Sequence, residues 1–161
     1  PSTYNSLVRN VKNNQFLNIE CLNKAVSSRD DDIVSISSKN NYYRSLASAT
    51  VDFDTNTSKA TCIHTQTIDT LSRRHLEDWP LSFIKIDVEG FEIPVLEGAK
   101  TTIALCKPIM LIEAQNIETL NYLYRNYCDY YYVFEIKDGK LIPFPSSTYP
   151  GMNVLMLPFN V

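Results

Sequence analysis

The order of strands and helices between residues 83 and 127 constrains the fold more strongly than any other feature of this 161-residue sequence. Apolar runs at 83–88 and Ile109–Ala114 are typical of strands, and the second is nearly continuous, as in a strand buried on both faces. Each run precedes a segment with apolar residues at helical spacing, at 92–105 and Ile117–Tyr127. This alternation predicts an α/β fold in which the two strands are parallel and joined by right-handed crossovers.

The rest of the chain predicts further elements around this core. Asp138-Gly139 separates two strand-like runs and predicts a hairpin with a type I′ turn, while the polar residues 39–60 predict a long loop or an irregular hairpin. The other predicted elements are helices at 1–14 and 68–76, and strands at 19–26, 33–38, 61–67, 130–136, 140–144 and 153–157.

Composition and charge exclude several classes of protein. The net charge of −3 argues against a generic nucleic-acid or anionic-membrane surface. The apolar runs are far shorter than the about 20 residues that cross a membrane. The four cysteines form no CxxC pair, and no histidine lies at zinc-binding spacing from them. They are predicted to be core thiols in a reducing compartment, and a cytoplasmic location is expected.

Ionisable residues lie within and directly after the first of the two parallel strands, although a strand that is buried on both faces would be apolar. Lys85, Asp87 and Glu89 share one strand face, and burying an unpaired charge is costly. Gly90 permits a tight turn directly after them. Glu113 ends the second strand, and open α/β sheets bind ligands beyond the carboxyl ends of parallel strands. At least one of these carboxylates is therefore a candidate ligand-binding or catalytic group.

A structural role for the same residues is the alternative. Lys85 would then form an ion pair with Asp87 or Glu113. Glu89 and Glu92 would stabilise the N-terminus of the next helix, whose dipole favours negative charge there.

Other polar groups are weaker candidates. Asp52-Phe53-Asp54 has the form of a glycosyltransferase metal motif but falls in an irregular polar stretch, and Asp30-Asp31-Asp32 is typical of a solvated turn. His64 and His75 have no partner visible in the sequence. Tyr130-Tyr131-Tyr132 predicts strand packing and not a base-stacking platform, because its surroundings are not basic.

Three blocks of the sequence, at 67–71, 84–99 and 108–113, resemble the FkbM family of methyltransferases in residues and in spacing. The middle block, which begins Ile84-Lys85-Ile86-Asp87-Val88-Glu89-Gly90, is the most specific. The resemblance covers nearly the whole chain, because further similarity is found at 7–14, 23–27 and 153–158.

The resemblance implies a Rossmann-like class I methyltransferase sheet with strand order 3-2-1-4-5-7-6 and a C-terminal antiparallel hairpin. It implies S-adenosylmethionine as cofactor and O-methylation of a hydroxyl on a small-molecule or glycan acceptor of the sugar or secondary-metabolite kind, and it assigns no residue to a metal. The residues it implicates are Asp87, Glu89 and Lys85 in catalysis, Ala25, Val26 and Asp87 at the cofactor, and Glu113 at the substrate.

The sequence departs from the family pattern at its start and after Glu113. The family's glycine-rich cofactor loop is not present, nor is the Glu of the Glu-Pro pair after its second strand, and Pro1 matches the Pro of that pair. We therefore expect residues 1–161 to form one partial domain that lacks the first two strands and is inactive by itself. Ala114-Gln115 stands where the family more usually has a small residue followed by His.

Two other functions stay open at the level of sequence. One is a methyltransferase-like binding module that keeps the fold without catalysis. The other is an enzyme that binds Mg²⁺ through Asp87, Glu89 and Glu113, since carboxylate oxygens are ligands that this ion prefers.

Overall fold

The fold is described by a computed structural model, which covers residues 2–38, 49–52, 61–73, 80–144 and 152–159. Most predicted elements are present, although several differ in extent. In chain order they are α1 (Ser2–Asn13), β1 (Ala25–Val26), β2 (Ile33–Ser38), β3 (Ala49–Asp52), β4 (Thr61–Gln66), α2 (Ile68–Arg73), β5 (Phe83–Ile86), α3 (Glu92–Glu97), α4 (Lys100–Cys106), β6 (Ile109–Ala114), α5 (Ile117–Tyr127), β7 (Tyr131–Lys137), β8 (Lys140–Pro143) and β9 (Met152–Pro158).

The larger sheet has the strand order β5-β6-β9-β7-β8 and contains the predicted α/β core. β5 and β6 are parallel, as predicted, with Lys85 opposite Leu111, and the other pairs are antiparallel. β7 and β8 form the predicted hairpin. Its turn residues Asp138 and Gly139 both have positive φ, 51° and 71°, as a type I′ turn requires. The chain is therefore a mixed α/β protein.

A second sheet has the strand order β1-β4-β2-β3. β1 is parallel to β4, while β2 is antiparallel to both β4 and β3. β3 lies within the predicted loop or hairpin at 39–60, and the rest of that segment falls outside the described residues. The predicted strand at 19–26 was wrong in extent, because only Ala25 and Val26 pair with β4. The residues before them leave apolar side chains exposed, Ile19 and Leu22 among them.

The hydrophobic core lies between one face of the larger sheet and helices α3, α4 and α5. Side chains on β6 alternate, so that Met110, Ile112 and Ala114 are fully buried and the residues between them are half-buried. On β5 the corresponding alternation leaves Phe83 and Lys85 exposed on the opposite face. The sheet thus has one face packed on helices and one face where charged groups reach solvent.

The segment after β5, predicted as one helix, forms two helices that separate at Gly98. A Cβ on Gly98 would lie 2.0 Å from the carbonyl oxygen of Ser27, and the Gly98 carbonyl accepts a hydrogen bond from the Asp69 N–H. The Asp69 carboxylate accepts hydrogen bonds from the N–H groups of Thr101 and Thr102, at 3.1 and 2.8 Å. Tertiary contacts, which periodicity does not reveal, therefore separate α3 from α4.

Two predictions that rested on composition can be compared with the structure. All four cysteines are free, but their prediction as core thiols was wrong: Cys62 is exposed and the other three are half-buried. Cys62 shares the exposed face of β4 with His64 because strand side chains alternate. Within the described ranges, no helix has the length and apolar character that a membrane span needs.

Candidate active site at the ends of β5 and β6

The parallel strands β5 and β6 end at the same edge of the larger sheet, and ionisable side chains meet there. The register places Lys85 beside Leu111, so Asp87 and Glu113, each two residues further along, are neighbours on one face. This face is opposite helices α3, α4 and α5; Asp87 is exposed on it and Glu113 is half-buried. We call Lys85, Asp87 and Glu113, together with Glu89 and Gln115 beside them, the acidic cluster.

Lys85 and Asp87 form an ion pair, with 2.7 Å between Nζ and Oδ2. The two side chains are 55% and 38% exposed, so solvent screens the pair and it contributes little to stability. Their hydrogen bond lowers the pKa of Asp87 and raises the pKa of Lys85, which keeps both groups ionised. The pair therefore orients the Asp87 carboxylate more than it stabilises the fold.

Glu113 differs from Asp87 because most of the charge near it is negative. A hydrogen bond with Asp87 raises the pKa of Glu113, and burial and the charges of Asp87 and Glu89 act in the same direction, while Lys85 opposes them. The pKa of Asp87 is lowered and that of Glu113 is raised, so Glu113 has the higher proton affinity of the two carboxyl groups.

Glu89 lies in a turn with an uncommon backbone conformation. Its φ is 52° and that of Gly90 is 94°. Positive φ is ordinary for glycine, but it costs a residue with a Cβ roughly 1–2 kcal/mol. The side-chain amide of Gln115 donates a hydrogen bond to the Glu89 carboxylate. Such strained residues cluster at functional sites, and here the turn directs Glu89 toward the end of β6.

Glu92 supports this turn from the protein interior. Its side chain is fully buried, and Oε1 accepts a hydrogen bond from the Gly90 N–H at 2.8 Å. Oε2 accepts a longer hydrogen bond, 3.5 Å, from the Thr119 hydroxyl on α5. Glu92 begins α3, as the structural interpretation of the sequence predicted, and its carboxylate also fixes the glycine that follows Glu89.

The predicted cofactor residues Ala25 and Val26 lie on β1, in the other sheet, and are half-buried. The hydrogen bonds of the acidic cluster come instead from β5, β6 and the residues that follow these strands. Ser27, next after β1, is buried against Gly98, which connects the end of β1 to the α3–α4 junction. A cleft of about 610 Å³ borders the residues before β1, and its charged lining residues are Lys24, Asp30 and Asp31.

Asp30 has a structural role that its sequence context did not indicate. The Asp30 to Asp32 turn is exposed, as predicted. Asp30 nevertheless accepts hydrogen bonds from the Thr67 N–H at 2.8 Å and from the Thr70 hydroxyl at 2.7 Å. These bonds lower the pKa of Asp30 and anchor the start of α2 to the turn after β1.

The remaining candidates lie away from the acidic cluster or outside the described residues. His64 is exposed on β4. Tyr131 packs in the core as predicted, whereas Tyr130 and Tyr132 are exposed. The structure does not describe His75, Phe53 or Asp54. In the part of the chain that it does describe, no group of three or more His, Cys, Asp or Glu is arranged to hold a metal ion, so the Mg²⁺ alternative gains no support.

The acidic groups lie at the carboxyl ends of adjacent parallel strands, which is the edge where open α/β sheets generally bind ligands. The family model for the methyltransferase FkbM domain matches residues 2–134. The chain therefore belongs to the FkbM methyltransferase family, and we describe it from here on as a methyltransferase. No curated protein and no solved structure matches the chain.

Gln115 and Asp69 are the residues whose importance the sequence only partly indicated. Gln115 stood out as a departure from the usual family pattern, and the structure shows that it contacts Glu89. Asp69 lies in the first of the three family-like blocks, and its carboxylate joins α2 to α4. Neither contact can be read from periodicity, because each pairs residues more than 25 positions apart.

Proposed function

We propose that this protein transfers a methyl group from S-adenosylmethionine to a hydroxyl of a sugar or secondary-metabolite-like acceptor, and that the acidic cluster is the transfer site. Membership of the FkbM family supports methyl transfer. The position of the transfer site is supported by one observation, which is that four ionisable residues lie together where β5 and β6 end: Lys85, Asp87, Glu89 and Glu113.

The charge of the acidic cluster fits a cationic methyl donor. The acidic cluster contains three carboxyl groups and one ammonium group, so its charge favours a sulfonium cation. Asp87 is the carboxylate that we assign to the donor side, because Lys85 keeps it ionised. Backbone groups of Ala25 and Val26 would contact the adenine. When bound, S-adenosylmethionine supplies an electrophilic methyl group.

The acceptor side of the site needs positioning and a group that removes a proton. Glu113 and Glu89 offer carboxylate oxygens, and Gln115 offers an amide, which together suit hydrogen bonding to a polyhydroxylated acceptor. The left-handed turn at Glu89 and the buried Glu92 carboxylate hold this side of the site in place.

We also propose that both sheets belong to one Rossmann-like domain. The order β5-β6-β9-β7 corresponds to strands 4-5-7-6 of the arrangement that the resemblance implies, and β1 corresponds to its strand 3. The contact between Ser27 and Gly98 supports this, because it joins the end of β1 to the helices that cover the larger sheet.

The test is a calorimetric titration of S-adenosylhomocysteine into the complete natural protein that carries these residues, with adenosine as the control ligand. We expect saturable binding of S-adenosylhomocysteine and much weaker binding of adenosine. S-adenosylmethionine should bind more tightly than S-adenosylhomocysteine, and Asp87→Asn should reduce that preference, because only the former is a sulfonium cation. Absence of binding for both S-adenosylhomocysteine and S-adenosylmethionine would contradict the proposal. Binding without transfer to any hydroxyl acceptor would favour a binding module.

A further inference from the structure

A second cleft, of about 470 Å³, lies between α4 and the connection from α5 to β7. One wall is a single face of α4, because its residues recur at helical spacing: Lys100, Ile103, Ala104 and Lys107. The other lining residues come from the end of α5 and the start of β7: Asn126, Tyr127, Tyr130 and Tyr131. We call this the tyrosine cleft. Its volume is within the range of about 300–1,000 Å³ that small-molecule sites have.

The tyrosine cleft lies at the opposite edge of the larger sheet from the acidic cluster. Lys107 comes just before β6, whereas Glu113 is near the end of that strand. On β9, Asn153 is opposite Glu113, while Tyr131 at the start of β7 is opposite Pro158, at the other end of β9. The length of β6 separates the two edges by roughly 17 Å. The tyrosine cleft is therefore separate from the proposed transfer site.

The floor of the tyrosine cleft contains a hydroxyl group without a partner. Ile103, Tyr127 and Tyr131 are buried there. Tyr131 is only 3% exposed, and its hydroxyl has no hydrogen-bond partner in the part of the chain that the structure describes. Burial raises the pKa of Tyr131 to about 12, so this hydroxyl keeps its proton and is a donor. Buried donors without an acceptor are uncommon in folded proteins, and a ligand that brings an acceptor to Tyr131 gains a hydrogen bond.

The rim of the tyrosine cleft carries two ammonium groups, and only one of them is paired. Lys100 forms an ion pair with Glu97. Lys107 is exposed and forms no ion pair with any residue in the described ranges. Phosphate groups are typically bound by several donors, often from arginine, and no arginine lines this cleft. A single available ammonium group therefore matches a singly charged carboxylate better than a phosphate.

We propose that the tyrosine cleft binds an aromatic carboxylate. The carboxylate contacts the Lys107 ammonium and, after a small shift of the Tyr131 ring, accepts a hydrogen bond from the Tyr131 hydroxyl. The aromatic body packs against Ile103 and the tyrosine rings, which already meet edge to face at 6.1 Å between Tyr127 and Tyr131. The inference does not rest on the proposed function, because neither a methyl donor nor a methyl acceptor takes part in it.

The test is a calorimetric titration of 2-naphthoate into the protein, with 2-naphthamide as a neutral control of the same shape. We expect one 2-naphthoate to bind per chain with a Kd below about 1 mM, which suits a ligand of about 13 non-hydrogen atoms. The amide should bind about threefold to tenfold more weakly, as expected when one charged hydrogen bond is weakened. Equal affinities for the two compounds, or no saturable binding of 2-naphthoate, would overturn the inference.

Substitutions of single lysines test whether the charge acts in the tyrosine cleft. Lys107→Gln should weaken 2-naphthoate binding about threefold to tenfold, and Lys107→Arg should retain most of the affinity. Lys140→Gln removes the same charge from an exposed position on β8, so it is the matched control and should leave the affinity unchanged. Equal losses in Lys107→Gln and Lys140→Gln would show attraction by overall charge and contradict a site in the cleft.

Tyr131→Phe separates a role in binding from a role in the fold. Removing a hydroxyl that has no partner should not lower the free energy of unfolding, while the affinity for 2-naphthoate falls by about threefold to tenfold. In the unaltered protein, the carbon-13 NMR signals of the Tyr131 ring, assigned by their loss in this variant, should shift when 2-naphthoate is added. A less stable variant with unchanged affinity, or binding that leaves the Tyr131 signals in place, would overturn the inference.

Discussion

Two regions of this protein are built around carboxyl groups, and they use them differently. At the helix junction, which we define as Ser27, Asp69, Gly98, Thr101 and Thr102, the carboxylate of Asp69 accepts backbone N–H groups. In the acidic cluster, the Asp87 and Glu89 carboxylates accept hydrogen bonds from the side chains of Lys85 and Gln115. The helix junction therefore joins α2 to α4. In the acidic cluster, neighbouring charges influence the proton affinity of the carboxyl groups.

The two regions also differ in the direction in which their surroundings move a pKa. Burial acts to raise the pKa of Asp69, but hydrogen bonds from Thr102 and Thr101 outweigh it, so the pKa is lowered. At Glu113 the neighbouring carboxyl groups and burial act together, and the pKa is raised. Hydrogen bonds from N–H groups therefore favour the ionised form of Asp69, whereas neighbouring acids disfavour the ionised form of Glu113.

The largest expected effect on stability is at the helix junction. Gly98→Ala would place a Cβ 2.0 Å from the Ser27 carbonyl oxygen, and we expect a loss near the upper end of the about 1–3 kcal/mol seen for overpacking. Gly90→Ala, in the turn of the acidic cluster, meets only Gln115 at 4.0 Å. It should lose roughly 1–2 kcal/mol through its positive φ alone. Urea unfolding of both variants measures these losses in the free energy of unfolding. A smaller loss for Gly98→Ala than for Gly90→Ala would contradict the expected difference between the two regions.

The second-largest expected effect on stability comes from removing the carboxylate of Asp69, compared with removing that of Asp87. Asp69→Ala leaves the N–H groups of Thr101 and Thr102 without their acceptor, so we expect a loss of about 1–2 kcal/mol, as for a removed helix cap. Asp87→Ala removes an exposed ion pair and should change the free energy of unfolding by about 1 kcal/mol at most. Asp69→Asn, which keeps one acceptor oxygen, is the control and should lie between them. Equal losses for the two alanine variants would contradict the distinction between the regions.

The pH dependence of stability should have opposite signs in the two regions. The folded pKa of Asp69 lies below its ordinary value of 3.8, so its contribution is present above pH 3.8 and is lost as pH falls through the folded pKa. The folded pKa of Glu113 lies above 4.5, so ionisation of this group destabilises the fold as pH rises through that pKa. The free energy of unfolding, measured from acid to neutral pH, should decrease less steeply toward acid pH for Asp69→Asn than for the unaltered protein. Glu113→Gln should be no less stable than the unaltered protein at neutral pH.

The smallest expected effect is at Gln115. Gln115→Ala removes the donor to Glu89, and we expect kcat/KM to fall by about tenfold at most, the equivalent of about 1.4 kcal/mol. Gln115→His retains a donor and should retain most of the activity. A change in the free energy of unfolding as large as the kinetic effect would assign Gln115 to the structure of the turn and not to the site.

The sequence predicted the parts of the fold that depend on local pattern. Alternation along β6, the helical spacing in α5 and the Asp138-Gly139 turn each depend on residues close in the chain. The division of the helix after β5 was missed because glycine is tolerated inside a helical pattern, and the close approach of Ser27 to Gly98 is a tertiary contact.

The candidate site was predictable to a similar degree. Parallel pairing brings Lys85, Asp87 and Glu113 to one edge, and that follows from strand order. The difference in pKa direction between Asp87 and Glu113 does not follow from strand order, because it depends on side-chain geometry across two strands.

The most direct test of the account is to measure methyl transfer from labelled S-adenosylmethionine to hydroxyl acceptors, per folded molecule, for variants of both regions. We predict that Glu113→Gln stays folded and loses at least about 100-fold in transfer, while Asp69→Asn loses stability but transfers at the unaltered rate as long as it is folded. Full transfer by Glu113→Gln and Asp87→Asn, or loss of transfer by folded Asp69→Asn, would contradict the assignment of chemistry to the acidic cluster.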